Sequence, residues 1–266
     1  GGGAGVQYYQ ANAVASVISL DVNPSVELDV NRQEKVVSAV PLNADANEIL
    51  DGMDLKGADL NVAVNAIMGS LLKHGYVDEL ANSILIPVED DDAARGAALE
   101  QKLTTEIGQV LDSAKVNGAI LSQTLSGDSA LQQKADEYGI SLGKATLIQS
   151  LVDSSNHLTF ESLVGLSINE LNLLANSTAV QTPDSAGGQT STTASNPALN
   201  SVGTASQSAY IGVEAAKEAA LTHAGVTSGD VVFLEADYDY EDGRMVYEVE
   251  FFAGNTEYEY DVDAAT

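Results

Sequence analysis

One dipeptide in this chain, Asn23-Pro24, combines a reactive side chain with an unusual leaving group. The side-chain amide nitrogen of an asparagine can attack its own main-chain carbonyl carbon, which cuts the chain as the proline nitrogen leaves. The commoner reaction of asparagine, attack on its side chain by the next backbone nitrogen, requires an N–H that proline lacks. The pair is therefore a candidate site of chain cleavage. A plain structural turn is the alternative, because Asn-Pro pairs are common in turns.

Two short runs of alternating apolar and polar residues flank this pair. Apolar residues lie at positions 18, 20 and 22 before it and at 26, 28 and 30 after it. A period of two predicts half-buried strands, here at residues 17–22 and 26–30, which meet at the Asn-Pro turn. Proline also biases the preceding residue towards extended geometry, so we expect a restricted and strained conformation at Asn23.

The same stretch resembles a known family. Ser19 to Ser25 reads Ser-Leu-Asp-Val-Asn-Pro-Ser, which is similar to the Ser-hydrophobic-Asp-hydrophobic-Asn-Pro-Ser motif of RsgI-type anti-sigma factors of Gram-positive bacteria. Tyr138 to Ile148 is similar to a second piece of that family, and the resemblance spans about residues 15–175. It implies a single-pass membrane protein whose outer domain cleaves itself between Asn and Pro. We expect this chain to hold the outer part only.

The resemblance also implies roles for individual residues. Asn23 would be the reacting residue and Pro24 the leaving group. Asp21 and Ser25 are the nearest groups able to carry a proton or to hold the developing oxyanion, an assignment that rests on adjacency. Because the flanking strands would stay hydrogen-bonded within one sheet, the two fragments are expected to remain associated after the cut.

Composition excludes several classes of function. The net charge of −28 argues against binding to nucleic acid or to an anionic membrane surface, since both require Lys and Arg. The chain has no cysteine, which rules out disulfides and thiolate metal sites. No apolar run approaches the roughly 20 residues that span a bilayer. A length of 266 residues suits two domains.

One polar stretch separates those two domains. It consists mostly of Ser, Thr, Gly, Ala, Gln and Pro with Asp184 as its only charge, so it cannot bury enough apolar area to offset its conformational entropy. It contains a second Asn-Pro pair, Asn196-Pro197, which we expect to stay intact as an internal control. The predicted organisation is a tether at 1–14, an RsgI-like domain at 15–175, a flexible linker at 176–209 and a C-terminal domain at 210–266.

The predicted fold class is α+β, with a mixed α/β N-terminal domain that has a small sheet and several helices, and a small αβββ C-terminal domain. Gly139 suits the end of one helix and Ser141 the start of the next. Further strands of the first domain are expected at 35–42, 83–88 and 119–125, and helices at 46–53, 58–73, 90–116, 128–138, 142–153 and 161–175.

Residues 210–266 resemble a PepSY domain, which implies a binding or inhibitory unit. The pattern predicts a helix at 213–223 and strands at 231–240, 245–252 and 257–262. Turns are expected at Asp242-Gly243 and Gly254-Asn255. The segment carries fourteen acidic and two basic residues. Its acidic strands and five tyrosines suggest a binding face for a cationic or cell-wall partner, while alternating Tyr and Glu also describe the two faces of one strand. These tyrosines are Tyr238, Tyr240, Tyr247, Tyr258 and Tyr260.

Other candidate sites have less support. Four carboxylates mimic part of a calcium loop, but Asp242 occupies the position that requires glycine. The run Asp90-Asp91-Asp92 suits a helix start, and His74, His157 and His223 lack ligand spacing. No hydrolase, metalloprotease or phosphate-loop motif occurs. We therefore expect no metal, no cofactor and no enzyme beyond a single-turnover self-cleavage. The calcium-like carboxylates are Asp237, Asp239, Glu241 and Glu248.

The predicted function is the outer sensory region of a membrane anti-sigma factor, on the extracytoplasmic face of the membrane. Its expected partners are a cell-wall or extracellular polysaccharide or protein, a downstream membrane protease, and a sigma factor bound through a cytoplasmic segment. The alternative is a secreted PepSY-type binding or peptidase-inhibitory protein.

Overall fold

Two β-sheets organise the chain. The computed structural model describes residues 12–178 and 199–265, and its strands form one six-stranded mixed sheet and one three-stranded antiparallel sheet. The first sheet contains β1 (Ser16–Asp21), β2 (Ser25–Val30), β3 (Val36–Pro41), β4 (Ser83–Asp90), β5 (Ala119–Leu125) and β6 (Asn200–Val202). The second contains β7 (Val231–Glu241), β8 (Arg244–Ala253) and β9 (Thr256–Asp263). The α+β fold class is confirmed.

Eight helices within the described residues accompany these sheets. Those of the first domain are α1 (Ala44–Leu50), α2 (Leu60–Lys73), α3 (Ala93–Ser113), α4 (Ser129–Tyr138), α5 (Leu142–Ser154), α6 (Phe160–Leu163) and α7 (Ile168–Thr178). The C-terminal domain adds α8 (Val213–Ala224). As expected, Gly139 ends α4 with a positive φ of 64°, and the Ser141 hydroxyl caps α5 by accepting a hydrogen bond from the Lys144 N–H.

Strand β1 lies inside the first sheet rather than at its edge. The strand order is β3-β2-β1-β4-β5-β6, and β1 pairs antiparallel with both β2 and β4. Strands β4 and β5 pair in parallel, with α3 as the crossover between them. The backbone of β1 is therefore hydrogen-bonded along both of its sides.

The alternation around the Asn-Pro pair places one side of β1 and β2 in the core. Ile18, Leu20 and Val22 from β1 and its end are buried among the apolar side chains of α1, α2 and α3. The opposite face of the sheet is covered by α5 and α7, whose apolar residues pack on Leu85 and Leu121. The sheet is thus the middle of three layers, and β1 lies at its centre.

The helix predicted at 161–175 is wrong as a single element, since it is divided into α6 and α7. Ser167 starts the second helix, and its hydroxyl accepts a hydrogen bond from the Glu170 N–H while the Glu170 carboxylate accepts one from the Ser167 N–H. This reciprocal capping box fixes a helix start in the middle of the predicted element. Because Ile168 lies in the first turn of α7, its N–H has no partner inside the helix, and it donates to the Val22 carbonyl oxygen instead.

Residues 200–206, which lie within the predicted linker, contact the first domain. Residues 200–202 form β6, which pairs antiparallel with β5, and Ala205 is buried. The Ser206 N–H then donates to the side chains of Asn82 and Asn169, at 2.8 and 3.1 Å. The edge strand β5 explains this pairing, because its free backbone N–H and C=O groups can pair with another strand regardless of the side chains of that strand. Residues 1–11 of the predicted tether, and linker residues 179–198 with the Asn196-Pro197 pair, lie outside the described residues.

The C-terminal domain is an antiparallel meander with one helix packed on it. Both predicted turns are present: Asp242 and Gly243 have φ of 49° and 80°, and Gly254 has φ of 62°. Polar contacts join this domain to the first one, and two of them involve neighbouring residues of β7. The Tyr238 N–H donates to the hydroxyl of Ser177 at 3.0 Å, and His157 Nε2 lies 2.8 Å from an Asp239 carboxylate oxygen.

Candidate self-cleavage site

The Asn23-Pro24 pair forms the tip of the β1–β2 hairpin. Asp21 and Ser25 are the last register pair of the two strands, and the loop between them contains Val22, Asn23 and Pro24. The Val22 N–H donates to the Pro24 carbonyl oxygen at 3.1 Å. Asn23 is exposed whereas Pro24 is buried, so the reactive amide meets solvent while the proline ring packs against the protein.

The backbone of the hairpin tip does not show the strain that was predicted for Asn23. The Asn23-Pro24 bond is trans, and Asn23 is not among the residues with positive φ. The left-handed strain that a turn could impose on Asn23 is therefore absent. What distinguishes this turn is the number of distant segments that hold it.

Two distant segments of the chain, residues 42–43 and Ile168, hold three backbone carbonyl groups of the turn. The Ile168 N–H, at the start of α7, donates to the Val22 carbonyl oxygen at 2.7 Å. The Leu42 N–H, after β3, donates to the Ser25 carbonyl oxygen at 2.9 Å. The Asn43 side-chain Nδ2 donates to the Asn23 carbonyl oxygen at 2.9 Å. Every contact comes from a residue at least seventeen positions away in the chain, so the tertiary fold sets the geometry.

Asn43 is itself fixed by two further hydrogen bonds. It is the N-cap residue of α1, and its Oδ1 accepts from the Ala46 N–H at 3.2 Å and from the Ser25 N–H at 3.4 Å. Since both partners of Oδ1 are donors and the Asn23 carbonyl can only accept, this orientation of the amide satisfies all three groups. Nδ2 is therefore directed at the carbonyl of the bond that would be cut.

Asp21 lies at the buried side of the turn. Its side chain has no solvent exposure, and one carboxylate oxygen accepts a short hydrogen bond from the Ser141 hydroxyl. The other oxygen, Oδ1, makes no hydrogen bond of regular geometry with any described residue, and the same holds for the buried Ser25 hydroxyl. Asp21 and Ser25 are register partners, and their side chains are close enough for the Ser25 hydroxyl to act on the Asp21 carboxyl.

The environment of Asp21 changes its protonation. Burial raises the pKa of Asp21 to about 6, and the Ser141 and Ser25 hydroxyls and the Lys144 ammonium limit the rise. Burial in turn lowers the pKa of Lys144, while the Asp21 and Glu170 carboxylates act in the opposite direction. A carboxyl with a pKa near 6 can both accept and release a proton close to neutral pH.

The far end of β1 has a second polar anchor. The Ser16 hydroxyl donates to Asp90 at 2.6 Å, and Arg95 forms an ion pair with the same carboxylate at 2.6 Å. Arg95 also donates to the Ala15 carbonyl oxygen at 3.3 Å. Asp92 caps α3, so the acidic run begins that helix as predicted. Both ends of β1 are thus tied to segments that follow the Asn-Pro pair in sequence.

The structure brings the four predicted site residues Asp21, Asn23, Pro24 and Ser25 together at one hairpin tip. The sequence reasoning missed Asn43, which contacts the Asn23 carbonyl, and Ser141, which it assigned only as a helix cap. Asn43 could have been found as an N-cap residue before α1, but nothing in the sequence pairs it with a turn twenty positions earlier.

The carboxylates and tyrosines of the C-terminal sheet lie on opposite faces. Glu235, Glu250 and Glu259 share one row across the three strands, and Asp237, Glu248 and Asp261 share the next. Burial, together with the surrounding carboxylates, raises the pKa of Glu248 to about 7. The tyrosines belong to the other face, where Tyr247 is only 1 % exposed. A joint tyrosine–carboxylate binding face is therefore wrong, and the two-faced strand is right.

The remaining candidates occupy ordinary positions. The calcium-like carboxylates lie on two paired strands, β7 and β8, rather than in a loop. Among the described residues, no group of three or more His, Asp or Glu side chains is placed to hold a metal ion. His74 caps α2, and His223 packs against Tyr260. In the same part of the chain, no helix has the length and apolar character needed to cross a bilayer.

Comparison with known proteins finds a family match for each of the two domains. The family model described as "Anti-sigma factor RsgI-like central domain" matches residues 15–150, and that described as "Peptidase propeptide and YPEB domain" (PepSY) matches residues 210–266. Anti-sigma-I factor RsgI9 of Acetivibrio thermocellus is 28 % identical over 159 residues, which cover 58 % of this chain and 22 % of that protein.

Two further relatives extend the match. Anti-sigma-I factor RsgI4 of Acetivibrio thermocellus is 28 % identical over 164 residues, covering 60 % of this chain and 31 % of the relative. Anti-sigma-I factor RsgI of Bacillus subtilis is 21 % identical over 136 residues, covering 51 % and 35 %. The chain thus spans about a fifth to a third of the length of these curated relatives. Because the family model covers half of the chain and includes the Asn-Pro hairpin, the chain belongs to the RsgI-like anti-sigma factor family.

Proposed function

We propose that this chain is the extracytoplasmic sensory region of a membrane anti-sigma factor and that it cuts itself once between Asn23 and Pro24. The observation that carries the proposal is the position of the Asn-Pro pair: an exposed Asn at the tip of a hairpin whose first strand is hydrogen-bonded on both sides. Family membership supports the anti-sigma role over the secreted alternative.

The proposed reaction uses groups that the hairpin already holds. Asn23 Nδ2 attacks the Asn23 main-chain carbonyl carbon and closes a five-membered ring, the bond to the Pro24 nitrogen breaks, and that nitrogen takes up the proton that Nδ2 loses. Asp21 is proposed as the carrier of that proton, since its pKa of about 6 suits transfer near neutral pH. Ser25, whose hydroxyl faces Asp21, would complete the relay.

The two fragments are proposed to stay together after the cut. Residues 12–23 would contribute β1 to the middle of the sheet, with Ile18, Leu20 and Val22 in its core. Exposing three such side chains costs roughly 1.5–3 kcal/mol each. The anchors at Asp90 and Ser141, on the second fragment, add polar contacts at both ends of the strand. Such a ladder separates only by pulling or unfolding.

This arrangement suggests how a signal would cross the membrane. We propose that a cell-wall or extracellular polysaccharide or protein engages the C-terminal PepSY domain, whose outer face is lined with carboxylates. Tension between that partner and the membrane would then pull β1 out of the sheet. The remaining membrane-bound stub would be cut by a downstream membrane protease, and a sigma factor bound to a cytoplasmic segment would be released.

The proposed organisation follows the contacts of the described residues. We propose that residues 199–209 act with the first domain, through β6 and the Ser206 contacts, and that the PepSY domain starts at about residue 210. Pulling on the PepSY domain would then load the same sheet that holds β1.

The test is self-cleavage of the purified chain. On a denaturing gel, the wild-type chain is expected to give two pieces that meet at Asn23-Pro24, and these pieces should co-elute as one species under native conditions. Asn23→Ala should stay at full length because the attacking amide is gone, and Asn196→Ala, at the second Asn-Pro pair, should be cut like the wild type. A wild-type chain that remains intact would contradict the proposal.

A further inference from the structure

We propose that Asn43 is a catalytic residue of the self-cleavage, because its side-chain amide donates the hydrogen bond that stabilises the oxyanion formed on the Asn23 carbonyl oxygen. This assignment rests on the proposed self-cleavage. It concerns a residue outside the Asn-Pro motif, on a helix cap that the chain reaches only after β2 and β3.

The reaction places negative charge at one identifiable atom. When Asn23 Nδ2 bonds to the main-chain carbonyl carbon, the electron pair of the C=O double bond moves to the Asn23 oxygen. The tetrahedral intermediate then collapses, the double bond re-forms, and the bonding pair of the C–N bond leaves with the Pro24 nitrogen, which gains the proton lost from Nδ2. No other reactant is required. A donor fixed at the Asn23 oxygen would therefore stabilise both transition states.

Asn43 Nδ2 occupies that donor position. It lies 2.9 Å from the Asn23 carbonyl oxygen, within the range of about 2.7–3.1 Å that is effective for an oxyanion donor. By contrast, the Ser25 hydroxyl makes no hydrogen bond with this oxygen, and the Asp21 carboxylate would repel an oxyanion. Of the side chains assigned to the turn, Asn43 is the one that donates to the reacting carbonyl.

The donor is also held in place before the reaction begins. The Ala46 and Ser25 N–H groups bind Asn43 Oδ1, so the amide cannot turn away without losing both hydrogen bonds. A preorganised donor needs no reorientation as charge develops, which is the property that makes such groups effective. Ser25 is the second residue after the scissile bond. The Asn43 side chain therefore contacts the residues on both sides of Pro24.

The structure offers a closely matched control on the same helix. Asn47 lies one turn along α1 and is exposed, and its Nδ2 donates to the main-chain carbonyl oxygens of Ala44 at 3.1 Å and of Asn43 at 3.4 Å. Asn43→Asp keeps an N-cap acceptor for the Ala46 N–H but replaces the donor by a carboxylate. Asn47→Asp makes the same change in charge without touching the turn. A third variant, Asn43→Ser, keeps the cap and adds no charge.

The experiment follows the rate of cleavage in the full chain. Each variant is made by cell-free synthesis, synthesis is stopped, and conversion of the full-length chain to fragments is measured against time on denaturing gels. Removal of a donor from a closed oxyanion hole slows reactions by about 10²–10³-fold. Because the hairpin tip is exposed and water can partly replace the amide, we expect Asn43→Asp and Asn43→Ser to slow cleavage about 10- to 100-fold. Asn47→Asp should react at the wild-type rate.

The outcomes separate this inference from the proposed function. Slow cleavage by both Asn43 variants, with far-UV circular dichroism and urea midpoints like those of Asn47→Asp, supports the donor role. If Asn43→Ser is cleaved at the wild-type rate, only the added charge of Asn43→Asp matters and the donor role is overturned. The donor role is also overturned if the slower cleavage is fully explained by a larger unfolded fraction of the variant. If the wild-type chain itself stays intact, the proposed self-cleavage is wrong and the donor role falls with it.

Discussion

The hairpin turn between β1 and β2 and the one between β7 and β8 are made in different ways. The second turn follows from local residues: Asp242 and Gly243 adopt positive φ, both are exposed, and the Asp-Gly pair alone predicts the turn. The first turn has no positive φ at Asn23, and it is held by groups from Leu42, Asn43 and Ile168. A turn built from its own residues can form early and tolerate change around it, whereas a turn held by distant segments exists only in the folded domain.

This difference has a consequence for chemistry. A reactive Asn-Pro pair in a locally determined turn would adopt its geometry in partly folded chains as well. Because the β1–β2 turn depends on two distant segments, residues 42–43 and Ile168, cleavage would be limited to chains whose sheet is already assembled. The cut would then occur only when β1 is held on both sides, which keeps the fragments together.

The largest expected effect comes from Pro24→Ala. The new residue supplies the backbone N–H that proline lacks, so ring closure through the next backbone nitrogen becomes possible and Asn23 can deamidate without a cut. We expect chain cleavage to be lost or nearly lost and a deamidated full-length chain to accumulate, measured by intact-mass spectrometry. The counterpart at the other turn, Asp242→Ala, should leave cleavage unchanged. Efficient cleavage of Pro24→Ala would show that the proline is not needed as leaving group.

A smaller effect is expected from the pH dependence that Asp21 contributes. Its pKa is about 6 in the folded chain against an ordinary value of 3.8, so the folded state holds a proton that the unfolded state releases as the pH rises. The contribution of Asp21 to the free energy of unfolding should therefore be largest below about pH 4. It should fall by roughly 3 kcal/mol as the pH rises through 6. Burial gives Glu27 a raised pKa of about 7, which adds to the same trend.

The test is urea unfolding between about pH 4 and about pH 7.5 of Asp21→Asn in the Asn23→Ala chain, which stays uncut and serves as the wild-type reference. Asparagine has no charge to bury, so the loss of stability with rising pH should be clearly smaller than in the wild type. Asp242→Asn, at the exposed turn, should keep the wild-type slope. An Asp21→Asn variant that loses stability with pH as steeply as the wild type would contradict the role given to burial.

The smallest effect is expected from Gly243→Ala in the locally determined turn. A Cβ at this position would meet no atom within 4 Å, so the only penalty is the φ of 80°, which disfavours alanine by about 1–2 kcal/mol. Urea unfolding followed by tyrosine fluorescence should show a destabilised C-terminal domain, while the rate of cleavage at Asn23 stays the same. A change in that rate would mean that the two turns are coupled.

The same contrast explains what could be predicted from the sequence. The alternation of apolar residues at 18, 20 and 22 predicts β1, and the Asp242-Gly243 pair predicts the turn between β7 and β8. Both signals are local in the sequence. The break before α7 was missed although Ser167 and Glu170 carry a capping-box signature, since the apolar pattern continues across it.

Other features of the site were beyond local signals. Strand β6 is exposed and rich in polar residues, and it is fixed by backbone bonds to the edge of β5 rather than by its side chains. The contact of Asn43 with Asn23 joins residues twenty positions apart through the pairing of β2 with β3. The Asn-Pro pair proposed to react could therefore be identified from the sequence, while the groups that hold it could not.

The measurement that tests the central claim most directly is N-terminal sequencing of the large piece isolated from freshly purified wild-type protein under denaturing conditions. Self-cleavage predicts a new terminus that reads Pro-Ser-Val-Glu-Leu, starting at Pro24. A single terminus, that of the uncut chain, would contradict it and leave the Asn-Pro hairpin as a structural turn.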